Sequence, residues 1–230
     1  MKATGSGSKR VSAGTDWIIL MRSTFWSCCF ATVYPERIQI LWHIPFLLIL
    51  GPLSQVLEAP VEELEKIEGI GENISTFLTL ITAVGRYYLV NRYTQVSILH
   101  NTYQCGEYLM PYFYGRRNEM VFLLCLDAKC KVLCCKEIGE GSVNSAAIPI
   151  RRIVEVALNA NATSVVLAHN HPSGLALPSG EEEHTTWRIA RALNTVEITL
   201  ADHIIVADDD YTSLVQSGHY RPEDVKMEII

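Results

Sequence analysis

Between Ser164 and Glu182 the chain reads Ser-Val-Val-Leu-Ala-His169-Asn-His171-Pro-Ser-Gly-Leu-Ala-Leu-Pro-Ser179-Gly-Glu-Glu182. This stretch restricts the fold more than any other. Ser164 to Ala168 is a short apolar run suited to a buried strand, Pro172 and Gly174 end it, and the chain re-enters a helix near Ser179. Side chains alternate along a strand, so His169 and His171 face the same way and both imidazoles reach one point. A carboxylate in the first turn of the next helix returns toward them. Three protein ligands with an open fourth position describe a catalytic zinc site, where the ion lowers the pKa of a coordinated water to about 7. A lone His-x-His says little: with 7 histidines in 230 residues, about 0.2 such pairs arise by chance. A Ser eight residues on and an acid three beyond it make the combination rare.

Glu182 carries two readings. Ser179-Gly-Glu-Glu182 is a capping-box pattern, with Ser at the N-cap and Glu three residues on. A Glu used that way bonds backbone N–H and never meets a metal. In the other reading it is the third ligand. Glu181 and Glu183 point elsewhere, because a helix turns by about 100° per residue. A general base must also hold and relay a proton, and Glu137, after the expected strand Lys131 to Lys136, is the upstream candidate.

Around this motif, residues 118–230 alternate in type. Met120 to Leu126 and Lys131 to Lys136 read as a hairpin turning at Asp127-Ala128-Lys129, Pro149 to Ala160 and Glu181 to Leu193 as helices, and Glu197 to Val206 as one or two strands. The fold class is therefore α/β (α+β) around a mixed sheet. Before it, Val61 to Ile67 and Asn73 to Asn91 read as helices joined by Gly69-Ile70-Gly71. The expected division is residues 1–52 unassigned, 53–97 a small helical hairpin domain and 98–230 the mixed-sheet domain. In the first segment Trp17, Trp26 and Trp42 follow no period.

The formal charge of −6 excludes nucleic-acid binding by bulk attraction. The 7 cysteines form no Cys-x-x-Cys pair, and several lie in apolar strands, so they read as reduced thiols of a cytoplasmic protein. Ile38 to Leu50, the longest apolar stretch, falls short of the roughly 20 residues that span a bilayer, so no membrane insertion is expected. Asp202-His203 reads as a satisfied core pair, with support of the metal ligands as the alternative. Glu119 reads as an edge charge, and His184 as a solvated side chain.

With these residues in view, the chain resembles the JAMM (MPN+) metalloproteases, whose pattern is an upstream Glu, His-x-His, seven residues, Ser, two residues and Asp. It resembles the RadC family more narrowly, through His169-Asn-His171-Pro-Ser-Gly, Pro178-Ser179, Thr186, Asp202-His203-Ile-Ile, Tyr211-Thr-Ser213-Leu214, Glu137-Ile-Gly-Glu-Gly141-Ser142 and the Gly69 to Gly71 hairpin. The resemblance covers about Leu53 to Ile205 plus the Tyr211 segment. It implies a JAMM/MPN-like domain after a helix-hairpin-helix-like segment. It implies Zn2+ held by His169, His171 and residue 182, Glu137 as general acid/base, and Ser179 steadying the water or oxyanion. Residue 182 is Glu where the pattern has Asp. The activity implied is zinc-dependent hydrolysis of a peptide or isopeptide. The alternative is a non-catalytic DNA-repair accessory protein docking DNA phosphate through Gly69, Ile70 and Gly71.

Overall fold

The structure, a computed structural model, describes residues 52–95, 97–141, 149–172 and 174–227. The unassigned first segment up to residue 51, with Trp17, Trp26, Trp42, Cys28 and Cys29, lies outside the described residues, as does Ser142. The chain forms two compact units that divide between Ile81 and Thr82. That division falls inside one uninterrupted helix, Glu72–Tyr93, so no linker composition marks it, and the sequence expectation had placed it at residue 97.

In the first unit, α1 (Leu53–Glu58), α2 (Val61–Leu64) and the start of α3 (Glu72–Tyr93) enclose Val56, Leu64, Ile70, Ile74 and Leu78. The expected helix to Ile67 stops at Leu64 and continues as turns, with the Ile67 N–H on the Leu64 carbonyl and the Ile70 N–H on the Ile67 carbonyl.

The second unit continues with α4 (Thr102–Phe113), β1 (Met120–Leu126), β2 (Val132–Glu140), α5 (Ile150–Asn159), β3 (Ser164–Asn170), α6 (Gly180–Asn194), β4 (Thr199–Ala207), β5 (Asp210–Ser213) and α7 (Pro222–Met227). The five strands form one mixed sheet in the order β2-β1-β3-β4-β5. β1 is antiparallel to both β2 and β3, while β3 and β4 are parallel and joined through α6. A parallel pair needs such a crossover, since no tight turn can return the chain to the same end of the sheet.

Both faces of the sheet are covered, so β1 along its whole length and β3 from Val165 to Ala168 are apolar rather than alternating. On one face Val121, Leu123, Leu167 and Leu200 meet Ile153 of α5 and Leu193 of α6. On the other Phe122, Leu124, Val166 and Ile204 meet Leu109 and Phe113 of α4. No element was expected at α4. Its Cys105, Tyr108 and Leu109 do keep helical spacing, but Gly106 and Pro111 interrupt the pattern.

β2 runs on to Glu140, past the expected end at Lys136, and lies at a sheet edge. An edge strand tolerates the polar Lys136, Glu137 and Glu140 that had seemed to end it. The cysteines among the described residues are all free. Burial pushes the Cys105 and Cys125 thiols up to about 12. Among the described residues no helix is long and apolar enough to cross a membrane.

Candidate metal centre

The end of β3 and the start of α6 converge as the alternation argument requires. His169 Nε2 lies 2.9 Å from His171 Nε2 and 2.8 Å from Glu182 Oε1, and His171 Nε2 lies 2.7 Å from the same oxygen. The three residues are the one group among the described residues whose ligand atoms cluster as a metal ion needs. His169 and Glu182 are buried, and His171 is partly open. His171 is anchored from behind, its Nδ1 lying 2.8 Å from the Leu175 carbonyl. A carbonyl only accepts, so Nδ1 carries a proton and Nε2 is the nitrogen that faces inward.

The two readings of Glu182 turn out not to compete, because a carboxylate has two oxygens. Oε2 accepts from the Ser179 N–H at 2.6 Å, and the Glu182 N–H donates to the Ser179 hydroxyl oxygen at 3.2 Å, which completes the capping box. Oε1 is left facing the histidines. The cap thus fixes the rotamer that aims Oε1 at the two imidazoles. Burial pushes this carboxyl up, but the His169 side chain, the Ser179 backbone and hydroxyl, and His171 together outweigh it and hold the group well below the usual carboxylate range. An ionised oxygen and converging ring nitrogens then face one point that a cation could occupy. Two imidazoles and a carboxylate are a ligand set that zinc accepts. Glu183 is turned away and pairs with His219 at 2.7 Å, and Glu181 and His184 are exposed.

The structure does not bring Glu137 to this centre. Glu137 pairs with Phe122, and Phe122 lies in the core under α4. His169 pairs with Val121, which lies in the core on the opposite face. Directly paired residues share a face, so Glu137 and His169 point to opposite sides of the sheet. Glu137 instead meets Arg116 at 3.2 Å.

Glu119, read as an edge charge, is better placed. Carried two residues past its last pair, Val121 with His169, the β1–β3 register would set Glu119 opposite His171 and on the same face. Its backbone is held there from both sides. The Asn170 amide donates to the Asn118 carbonyl at 3.1 Å and accepts from the Met120 N–H at 2.7 Å, and the Gly141 N–H donates to the Glu119 carbonyl at 2.7 Å. Glu119 also lines an open cleft of about 770 Å³ with Arg117, Asn118, Glu140, Gly141 and Pro172, the last adjoining His171.

Asp202 and His203 are both buried, and Asp202 Oδ1 accepts from the His203 N–H at 2.7 Å, while their side chains serve different partners. Asp202 aligns with Val166 and accepts from the Ser213 hydroxyl at 2.6 Å, while His203 aligns with Leu167 and approaches His169. His203 thus takes the role given as the alternative, support of His169, and Thr186, named only within the resemblance, stands behind it. Spacing alone could not link them to the centre, since they stand 34 and 17 residues from His169 in sequence.

At the hairpin, Gly69 takes φ +91°, a conformation that suits glycine, while Ile70 packs into the core of the first unit. Residues 52–81 hold six Glu and one Lys, a field that repels phosphate.

Residues 99–219 match the family model described as a RadC-like JAB domain. A UPF0758 protein of Acinetobacter baumannii is 31% identical over 179 residues, which cover 77% of this chain and 76% of that protein. UPF0758 proteins of Alcanivorax borkumensis and Stutzerimonas stutzeri are each 32% identical over 168 residues, covering 73% of this chain and 75% of theirs. The chain belongs to the RadC family.

Proposed function

We propose that this member of the RadC family is a zinc-dependent hydrolase acting on an amide bond of a peptide or isopeptide. The observation that carries the proposal is the buried convergence of His169 Nε2, His171 Nε2 and Glu182 Oε1 within 2.9 Å of one another. These three atoms would hold the ion. Bound there, zinc would polarise the substrate carbonyl and make a water acidic near neutral pH.

The chain's own residues supply the rest. The Glu119 carboxylate, on the same face and open to the cleft, takes the water's proton and returns it to the leaving amine. This assigns to Glu119 the role that the resemblance had implied for Glu137. The Ser179 hydroxyl oxygen is occupied as an acceptor by the Glu182 N–H, which leaves its own proton to donate to the tetrahedral oxyanion. Pro172 and Glu119 border the cleft in which the substrate backbone lies.

Purified protein is assayed for zinc per chain and for cleavage of peptide and Lys-linked isopeptide substrates. Glu119→Gln is expected to keep its zinc and lose activity by about 10²–10⁴-fold, the usual contribution of a general base, while Glu137→Gln keeps both. A parent protein that takes up no zinc rules out the metal step. A Glu119→Gln enzyme as fast as the parent rules out the base.

A further inference from the structure

His169 is not held from behind by a carbonyl or a carboxylate, the usual partners of a ligand histidine. Its Nδ1 lies 2.8 Å from His203 Nε2, His203 Nδ1 lies 2.6 Å from the Thr186 hydroxyl, and that hydroxyl lies 2.7 Å from the Glu182 backbone carbonyl. The path begins at the Glu182 side chain and ends at the Glu182 main chain. His203 and Thr186 are 0% exposed and His169 is 1% exposed, so bulk water does not compete for these bonds.

Such a chain of single protons has two arrangements. In one, Thr186 donates to His203 Nδ1, His203 Nε2–H donates to His169 Nδ1, and the proton of His169 is driven to Nε2, inside the metal centre. In the other, every donor is reversed. The Glu182 carbonyl decides between them. It accepts only, so the 2.7 Å contact requires the Thr186 hydroxyl to spend its one proton there. The hydroxyl oxygen is then an acceptor, His203 carries its proton on Nδ1 and accepts at Nε2, and His169 donates from Nδ1, which leaves Nε2, 2.8 Å from Glu182 Oε1, as the nitrogen that an ion can claim.

We infer that Thr186 and His203 are positioning residues that set the tautomer of His169, and that a single backbone carbonyl at the first turn of α6 keeps that imidazole ready for a metal ion. The inference rests on the metal reading given above. It adds two residues that touch no ligand atom of the centre and no substrate. It also makes the centre depend on the seating of α6 against β4, because the chain is broken if Thr186 moves away from His203.

The test reads the proton directly. Long-range ¹H–¹⁵N spectra of the metal-free and zinc-loaded protein are expected to show His203 protonated on Nδ1 in both. In Thr186→Val, His203 loses this preference and zinc affinity, measured by chelator competition, falls about 10–100-fold, as for other partners of metal-ligating histidines. Thr186→Ser restores both. A parent His203 protonated on Nε2 overturns the inference without needing any variant to fold. So does a folded Thr186→Val that keeps the parent's zinc affinity. A parent that shows the Nδ1 proton but takes up no zinc overturns the metal reading instead and leaves the tautomer chain standing.

Discussion

Replacing Glu182 by Gln separates the two jobs of one side chain. Gln has the same length and keeps one carbonyl oxygen, so the Ser179 N–H, now 2.6 Å from Oε2, retains an acceptor and the helix stays capped. What changes is the atom facing the histidines. An NH2 group replaces an ionised oxygen and donates its protons to the lone pairs that a cation would use. Losing a partner of a ligand costs about 10–100-fold in metal affinity, so losing the anionic ligand itself should cost at least about 100-fold, or about 2.8 kcal/mol. Ser179→Ala makes the opposite change. It removes the hydroxyl acceptor of the Glu182 N–H, which costs about 1 kcal/mol of stability and lowers the melting point by about 2–4 °C for a chain of this size. It leaves the backbone N–H that holds Oε2, so zinc stays bound. Zinc per chain after dialysis, chelator competition and melting in chelator measure both variants. A Glu182→Gln protein that holds one zinc at the parent's affinity would refute the two-oxygen argument and reduce Glu182 to a helix cap.

Other expectations follow from the same geometry. Burial, reinforced by His169 and opposed by Glu182, holds the His203 pKa well below its ordinary value. Below about pH 6.5 the unfolded chain therefore binds a proton that the native state refuses, and in chelator stability should fall with decreasing pH at up to about 1.4 kcal/mol per unit. A flat unfolding free energy between pH 7.5 and 5.5 would contradict this. Glu137→Gln breaks a solvent-screened pair with Arg116 and should cost under about 1 kcal/mol in urea unfolding; a larger loss would mean that Glu137 does more than its position allows. Gly115 adopts φ +65°, and a Cβ there would meet Thr82 Cγ2 at 2.2 Å. Gly115→Ala should thus destabilise by about 1–3 kcal/mol, and an unchanged melting curve would show that the turn relaxes freely. Iodoacetamide should label Cys105 and Cys125 only on unfolding, since burial raises both thiols; rapid labelling of the native protein would deny that burial.

Much of the centre is local, and local features are legible in a sequence. The spacing of His169 and His171 sets them on one face of a strand whatever that strand pairs with. Ser179 and Glu182 form their capping box from one helical turn, and β1 announces itself as an unbroken apolar run. The sequence alone therefore determined that two imidazoles would share a face with a capping carboxylate one helix start away, while it left open whether that carboxylate turns toward them. Tertiary structure decided what surrounds them. Whether Glu119 or Glu137 shares their face depends on the pairing of β1 with both neighbours and on the register shift between Val121 and Phe122 in the β1–β2 ladder. His203 reaches His169 only because β4 lies parallel to β3, with α6 carrying Thr186 across both. Alternation along a strand is a property of its own backbone, but the partner across the ladder comes from elsewhere in the chain, and only the folded sheet selects it.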